Sequence, residues 1–138
     1  MMVLVIGLVG VGQVAVKSSR LAKLRVIGVT LARETMEAVL AVRANNFASL
    51  AEGTYHPELV SGQWGLVGGV ETVGGLERRV EIYKVQRELA CGGQRVCPIV
   101  ASGGVVDPVT FRAKVVVTWK EDSKDQQVDM ESLLTFWR

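Results

Sequence analysis

The first sixteen residues, Met1 to Val16, carry no charge, and no acidic side chain occurs before Glu34. An apolar stretch of this length has to be covered by lipid, by other helices or by the chain's own core. Near the other end, Phe111 to Glu121 and Val128 to Trp137 are two strand-like runs. The polar turn Glu121-Asp122-Ser123-Lys124-Asp125 joins them. An apolar leading element followed by a small antiparallel sheet is an unusual plan for an enzyme.

At 138 residues the chain is long enough for one domain with an appended helix. Three Trp, three Phe and two Tyr suffice to seed one small core. The formal net charge is only +2, so no strong nucleic-acid field is implied. The basic residues Lys17, Arg20, Lys23 and Arg25 cluster just after the apolar stretch, as in a membrane-flanking segment. Most of the glycines fall between Gly53 and Gly104, which makes that stretch rich in loops.

The N-terminus admits three readings. In the first, Val3 to Ile6 is a strand and Gly7-Leu8-Val9-Gly10-Val11-Gly12 a dinucleotide-binding turn, with Glu34 as the ribose-binding acid. The glycine spacing is G-x-x-G-x-G, which misplaces the tight turn and the close approach to a pyrophosphate. Further strand–helix alternation is also missing. In the second, the stretch is a signal peptide, but no Lys or Arg precedes Lys17. The third is a continuous helix from Met1 to about Asn45, apolar at first and amphipathic later. Its apolar part is short for a membrane span, which needs about 20 apolar residues. Leu21, Leu24, Val29, Met36, Val39 and Leu40 recur at helical spacings, with Arg20, Lys23, Arg33, Glu34, Glu37 and Arg43 between them. Asn45-Asn46 ends the pattern. Gly7, Gly10 and Gly12 weaken this helix by about 1 kcal/mol each, so any break belongs there. The third reading is the one adopted.

Beyond the helix, Thr54-Tyr55-His56-Pro57 reads as a turn entering an extended segment. Gln63 to Val67, Arg78 to Val85 and Pro98 to Ala101 read as strands, with a bulge at Tyr83. Gly103-Gly104 and Asp107-Pro108 read as turns. Phe111, Ala113, Val115, Val117 and Trp119 share one face. Val128, Met130, Ser132, Leu134 and Phe136 alternate less cleanly. The expected fold is α+β: a long N-terminal helix whose second half packs on a small antiparallel meander of about four strands. Residues 1–25 project as an apolar helix, and residues 26–138 form a globular head. Trp119, Val117, Phe136 and Trp137 are expected in its core.

Cys91 and Cys97 stand six positions apart in Cys-Gly-Gly-Gln-Arg-Val-Cys. A tight loop brings such a pair within bonding reach, and two thiols without a nearby histidine are too few for a structural zinc. A disulfide, and with it an oxidising compartment, is expected. Other candidates have plain readings. His56, the single histidine, lacks partners for acid–base work. Glu34 and Glu37 lie one turn apart on a solvated face, where Arg33 or other basic residues can pair with them. Glu121 to Asp125 lacks the spacing of a calcium loop. Ser102-Gly103-Gly104 precedes a strand, not the helix N-terminus that a phosphate cradle uses.

Leu31-Ala32-Arg33-Glu34-Thr35-Met36-Glu37-Ala38-Val39, with Arg43, Asn46-Phe47, Leu50 and Gly53-Thr54-Tyr55, resembles bacterial type IV pilin and pseudopilin sequences. The order of Ser61-Gly62-Gln63-Trp64, Arg78-Arg79-Val80, Asp107-Pro108, Val117-Thr118-Trp119 and Leu133-Leu134-Thr135-Phe136-Trp137 extends the resemblance over nearly the whole chain. These features are similar to the short pilin-like proteins of the prepilin-type cleavage and methylation class. Their basic leader, processing site and glutamate have no counterpart before Val16, so processing and N-methylation are not assigned. Either the chain starts inside the usual N-terminal helix, or the subunit docks without that glutamate.

The resemblance implies a structural, non-enzymatic subunit of a type IV pilus-like filament, without cofactor or metal. Its assembly interface would be Val3, Leu4, Val5, Ile6, Leu8, Val9, Val11 and Val14. Its partners would be identical subunits, the cytoplasmic membrane before assembly and the pilus assembly machinery, with no nucleic acid. Its location would be an extracellular filament at the cell surface. The alternatives are a pseudopilin of a secretion or DNA-uptake system, and a small Rossmann-like nucleotide-binding regulatory domain using Gly7, Gly10 and Gly12.

Overall fold

The computed structural model describes residues 2–92 and 96–136, with residues 2–15 described by their backbone alone. Helix α1 (Met2–Asn45) is one uninterrupted run of 44 residues, about 66 Å long at 1.5 Å per residue. No proline occurs within it, and helix formers dominate its second half. Thr30 and Thr35 turn their hydroxyls back onto the carbonyls of Val26 and Leu31, so neither leaves a polar group unsatisfied. The helix ends where Asn46 leaves helical geometry with φ −155°. A single 3-10 turn, Phe47–Ser49, follows.

Seven strands follow: β1 (Gly53–Val60), β2 (Gln63–Gly68), β3 (Glu71–Val73), β4 (Leu76–Arg87), β5 (Ile99–Val100), β6 (Val105–Glu121) and β7 (Lys124–Thr135). Among the described residues they form one antiparallel sheet in the order β2-β1-β4-β6-β7. One edge of β4 carries β6 along most of its length; the other receives β3, β1 and β5 in turn. The α+β class is therefore as expected, but the sheet is larger than a four-stranded meander and its order is not sequential. The difference lies in short or proline-bearing strands. Thr54 to Pro57 belongs to β1 and is not a turn, and β3 is only three residues long.

Asp107-Pro108, read as a turn, lies inside β6. Pro108 falls between Val106, the last partner of β4 on that side, and Thr110, the first partner of β7. A residue without an N–H is tolerated where no ladder passes. The bulge expected at Tyr83 falls instead between Lys84 and Gln86. It shifts the buried phase of β4 from Leu76, Arg78, Val80 and Ile82 to Val85. Just beyond it, a Cβ on Gly104 would lie 2.3 Å from the carbonyl oxygen of Arg87. Only glycine permits that close approach of two backbones.

The polar connection before β7 is tighter than five residues. Asp122 and Ser123, both at positive φ (44° and 64°), make a two-residue hairpin turn, and Lys124 already pairs with Glu121. From there Val128, Met130, Ser132 and Leu134 face Val117, Val115, Ala113 and Phe111 in strict alternation.

The inner face of the sheet is the core. Val80, Ile82, Phe111, Ala113, Val115, Val117, Trp119 and Leu134 are buried against Leu31, Ala32, Met36, Val39 and Val42 of α1. Each large side chain there contributes about 1.5–3 kcal/mol of transfer free energy. Val117 and Trp119 are core residues as expected; Phe136 is not. It is 45% exposed and packs on Phe47, with ring centroids 5.3 Å apart, at the end of the sheet. Trp137 lies outside the described residues.

Candidate assembly surface and its anchoring

The part of α1 that leaves the sheet is the candidate functional surface. Side chains from Val16 to Lys23 are exposed, Leu24 is half-buried, and Gly28 is the first fully buried position. Val16 and Val26 expose 71% and 65% of their surface, while Val80, Val115 and Val117 in the core expose none. Val3, Leu4, Val5, Ile6, Leu8, Val9, Val11 and Val14 all lie on α1; their side chains are outside the described residues.

Electrostatics on this segment are one-sided. Lys17, Arg20, Lys23, Arg25 and Arg33 precede the first acid, Glu34. Lys17 reaches across to Asp122 at the β6–β7 hairpin tip, 2.5 Å away. Their hydrogen bond, then their mutual attraction, raises the Lys17 pKa and lowers that of Asp122. Both groups are well exposed, so this contact orients the helix more than it stabilises the fold. Asp122 is thereby occupied by a lysine at a hairpin tip. Among the described residues no cluster of three or more His, Cys, Asp or Glu could hold a metal ion.

An ion triad centred on a buried arginine joins α1 to the sheet. Strand alternation turns Arg78 inward, where its side chain is only 8% exposed. Its Nε donates to Glu71 Oε2 at 2.6 Å, and its Nη1 to Glu34 Oε1 at 2.9 Å. Glu71 stands directly opposite on β3, and Glu34 comes from the helix. Burial alone would lower the arginine's pKa; hydrogen bonds from both carboxylates outweigh it and raise the pKa. Glu34 was expected on a solvated face beside Arg33. Its partner instead lies 44 residues away, beyond what helical spacing can reveal. Glu37 remains exposed.

A second cluster organises the far end of the sheet. Arg87 Nε donates to Asp107 Oδ2 at 2.6 Å, Nη1 to the Cys97 carbonyl at 2.7 Å, and Nη2 to Thr110 Oγ1 at 3.4 Å. Burial pushes Asp107 up, but hydrogen bonds from Arg87, the Val109 N–H and Thr110 bring it below its ordinary range. Cys91 and Cys97 are joined by the expected disulfide, with Cα atoms 5.3 Å apart. Arg87 thus ties the bridged loop to β6.

His56 is a strand residue opposite Val67, not a turn residue, and its Nδ1 is buried without a hydrogen-bond partner. Gly7, Gly10 and Gly12 all lie within α1. Val3 to Ile6 are helical as well, so among the described residues the strand–turn–helix that a dinucleotide site requires does not form there. Gly103 and Gly104 lead into strand β6. No helix among the described residues is long and apolar enough to cross a membrane. No protein-family model, curated protein or solved structure matches this chain.

Proposed function

We propose that this chain is a structural subunit of a type IV pilus-like filament that assembles through the N-terminal half of α1. One observation carries the reading. A single helix continues more than twenty residues past Leu24, where its packing on the core ends, its described side chains from Val16 to Lys23 are exposed, and the residues before Lys17 are uncharged. An apolar helix of this kind needs lipid or copies of itself. Residues 1–25 then form the core of the filament by helix–helix packing, and residues 26–138 coat its outside. Before assembly the same helix rests in the cytoplasmic membrane, and transfer into the filament exchanges lipid contacts for similar apolar ones. Each copy uses one surface to bind a different surface of the next, so the association is open-ended and helical. The disulfide fits an oxidising, extracellular setting.

The test replaces Val5 or Val9 with Asp. A carboxylate placed in an apolar helix bundle costs several kcal/mol in every copy. Electron microscopy of the cell surface should show no filaments. Thermal melting of the purified variant should match the parent, because the head's core begins at Leu24. Normal filaments built from either variant would overturn the proposal.

A further inference from the structure

A cleft of about 260 Å³ opens between the end of α1, the 3-10 turn and the β1–β2 hairpin. Its size is just below the range of about 300–1,000 Å³ typical of small-ligand sites, so it suits a single ring. Val42, Leu50 and Ile82, all buried and apolar, are among its lining residues. Tyr55 and Trp64, both half-buried, also line it. The Tyr55 ring lies against Gly53, where a Cβ would sit 3.0 Å from its hydroxyl. The ring's position therefore depends on that missing side chain.

The rim is polar and uncommitted. Asn45, Asn46 and Gln63 line the cleft, and among the described residues their side-chain amides make no hydrogen bond. The Trp64 indole N–H is likewise unpaired. Three amides and an indole offer donors and acceptors together, the mixture that hydroxyl groups satisfy. No described residue lining the cleft is charged. Buried anions and cations would therefore find no counter-charge, and a neutral ligand is selected. A pyranose ring meets every condition: neutral, one ring in size, C–H groups on one face for an aromatic wall, hydroxyls around its edge.

We infer that this cleft binds a neutral pyranose sugar, stacked on Trp64 and hydrogen-bonded by Asn45, Asn46 and Gln63. The inference does not rest on the filament reading, since the cleft lies wholly within the head.

The test uses the full chain, isotopically labelled, in a phosphocholine detergent that carries no sugar group. Loss of one indole N–H resonance in Trp64→Phe assigns the Trp64 signal, and loss of another in Trp119→Phe assigns that of Trp119. Glucose, galactose and N-acetylglucosamine are titrated, with glucuronate and adenosine as an anionic and an aromatic comparison. At least one neutral sugar should shift the Trp64 signal saturably, and the Trp119 signal not at all. The dissociation constant should be on the order of 1 mM, as for a ligand making only a few contacts. Asn46→Ala and Gln63→Ala, both read on the Trp64 signal, should each weaken binding about tenfold. Asn46 is exposed, so an unchanged Trp119 signal in its variant establishes that the fold is intact. The inference is overturned if none of the three sugars gives a saturable shift. Glucuronate or adenosine binding as tightly as the best sugar would overturn it as well.

Discussion

Gly28 and Trp119 are in direct contact: a Cβ on Gly28 would lie 2.9 Å from Cζ3 of the Trp119 ring. This glycine, the first buried residue of α1 among those whose side chains are described, sets how closely the helix approaches β6. Trp119 is 7% exposed, and its indole N–H is buried without an acceptor. The ring thus already carries a desolvation cost of about 1–3 kcal/mol, set against its large buried apolar area.

Gly28→Val should therefore lower head stability by about 2 kcal/mol through overpacking. Gly28→Ala should cost less, because alanine regains about 1 kcal/mol of helix propensity. Chemical denaturation measures both. Combining Gly28→Val with Trp119→Leu should cost less than the sum of the single changes, since the smaller side chain removes the clash. Strict additivity would show that the two residues do not crowd each other.

Arg78 should be the most sensitive charged residue in the head. Arg78→Ala leaves Glu71 and Glu34 facing a partly buried site without their cation, and should cost about 3 kcal/mol. Glu34→Gln should cost about 1 kcal/mol or less, because that carboxylate is 43% exposed and Glu71 remains. Equal losses in urea melts of the two variants would contradict this ranking.

Acid should weaken the Arg87–Asp107 cluster. The Asp107 pKa is lowered on folding, so its contribution is present above the ordinary aspartate value near 3.8. It is lost as pH falls from there through the folded value, because the unfolded state then binds the proton more readily. Asp107→Asn should remove this part of the pH dependence while lowering stability at neutral pH. Melting curves for both proteins between about pH 2 and 7 decide it. Parallel pH profiles would place the acid sensitivity elsewhere.

Reduction should loosen the loop that Arg87 holds. Opening the Cys91–Cys97 bridge, or replacing both residues with Ser, should cost about 2 kcal/mol on the loop-entropy estimate. Protein taken from cells should gain the mass of two hydrogen atoms on treatment with a reductant. No mass change in protein already free of reductant would mean that the thiols are not paired in the cell.

The helix was legible because a long proline-free run of helix formers, ended by Asn45-Asn46, leaves the backbone little alternative. Its buried face was only partly legible. Met36 and Val39 are core residues as their hydropathy suggests, but Leu21 and Leu40 are both 37% exposed. Gly28, Ala32, Thr35 and Ala38 are buried instead. All four are small, and a pattern of apolar side chains does not register size. The cleft at the end of α1 was not legible either. Tyr55 and Trp64 become neighbours of Asn45 and Asn46 only when β1 and β2 fold against the end of the helix.

The sequence by itself determined the local states. It set the helix and its end, the alternating faces of β4, β6 and β7, the cysteine pair within loop-closing reach and the uncharged N-terminal stretch. Each follows from interactions between residues a few positions apart. Tertiary structure alone decided the sheet order β2-β1-β4-β6-β7, the docking of β3, β1 and β5 along one edge of β4, and the pairing of Arg78 with Glu34. Those depend on which surfaces meet across tens of residues, where several pairings satisfy the same local pattern. The choice among them falls to the fit of side chains such as Trp119 against Gly28, which local periodicity does not encode.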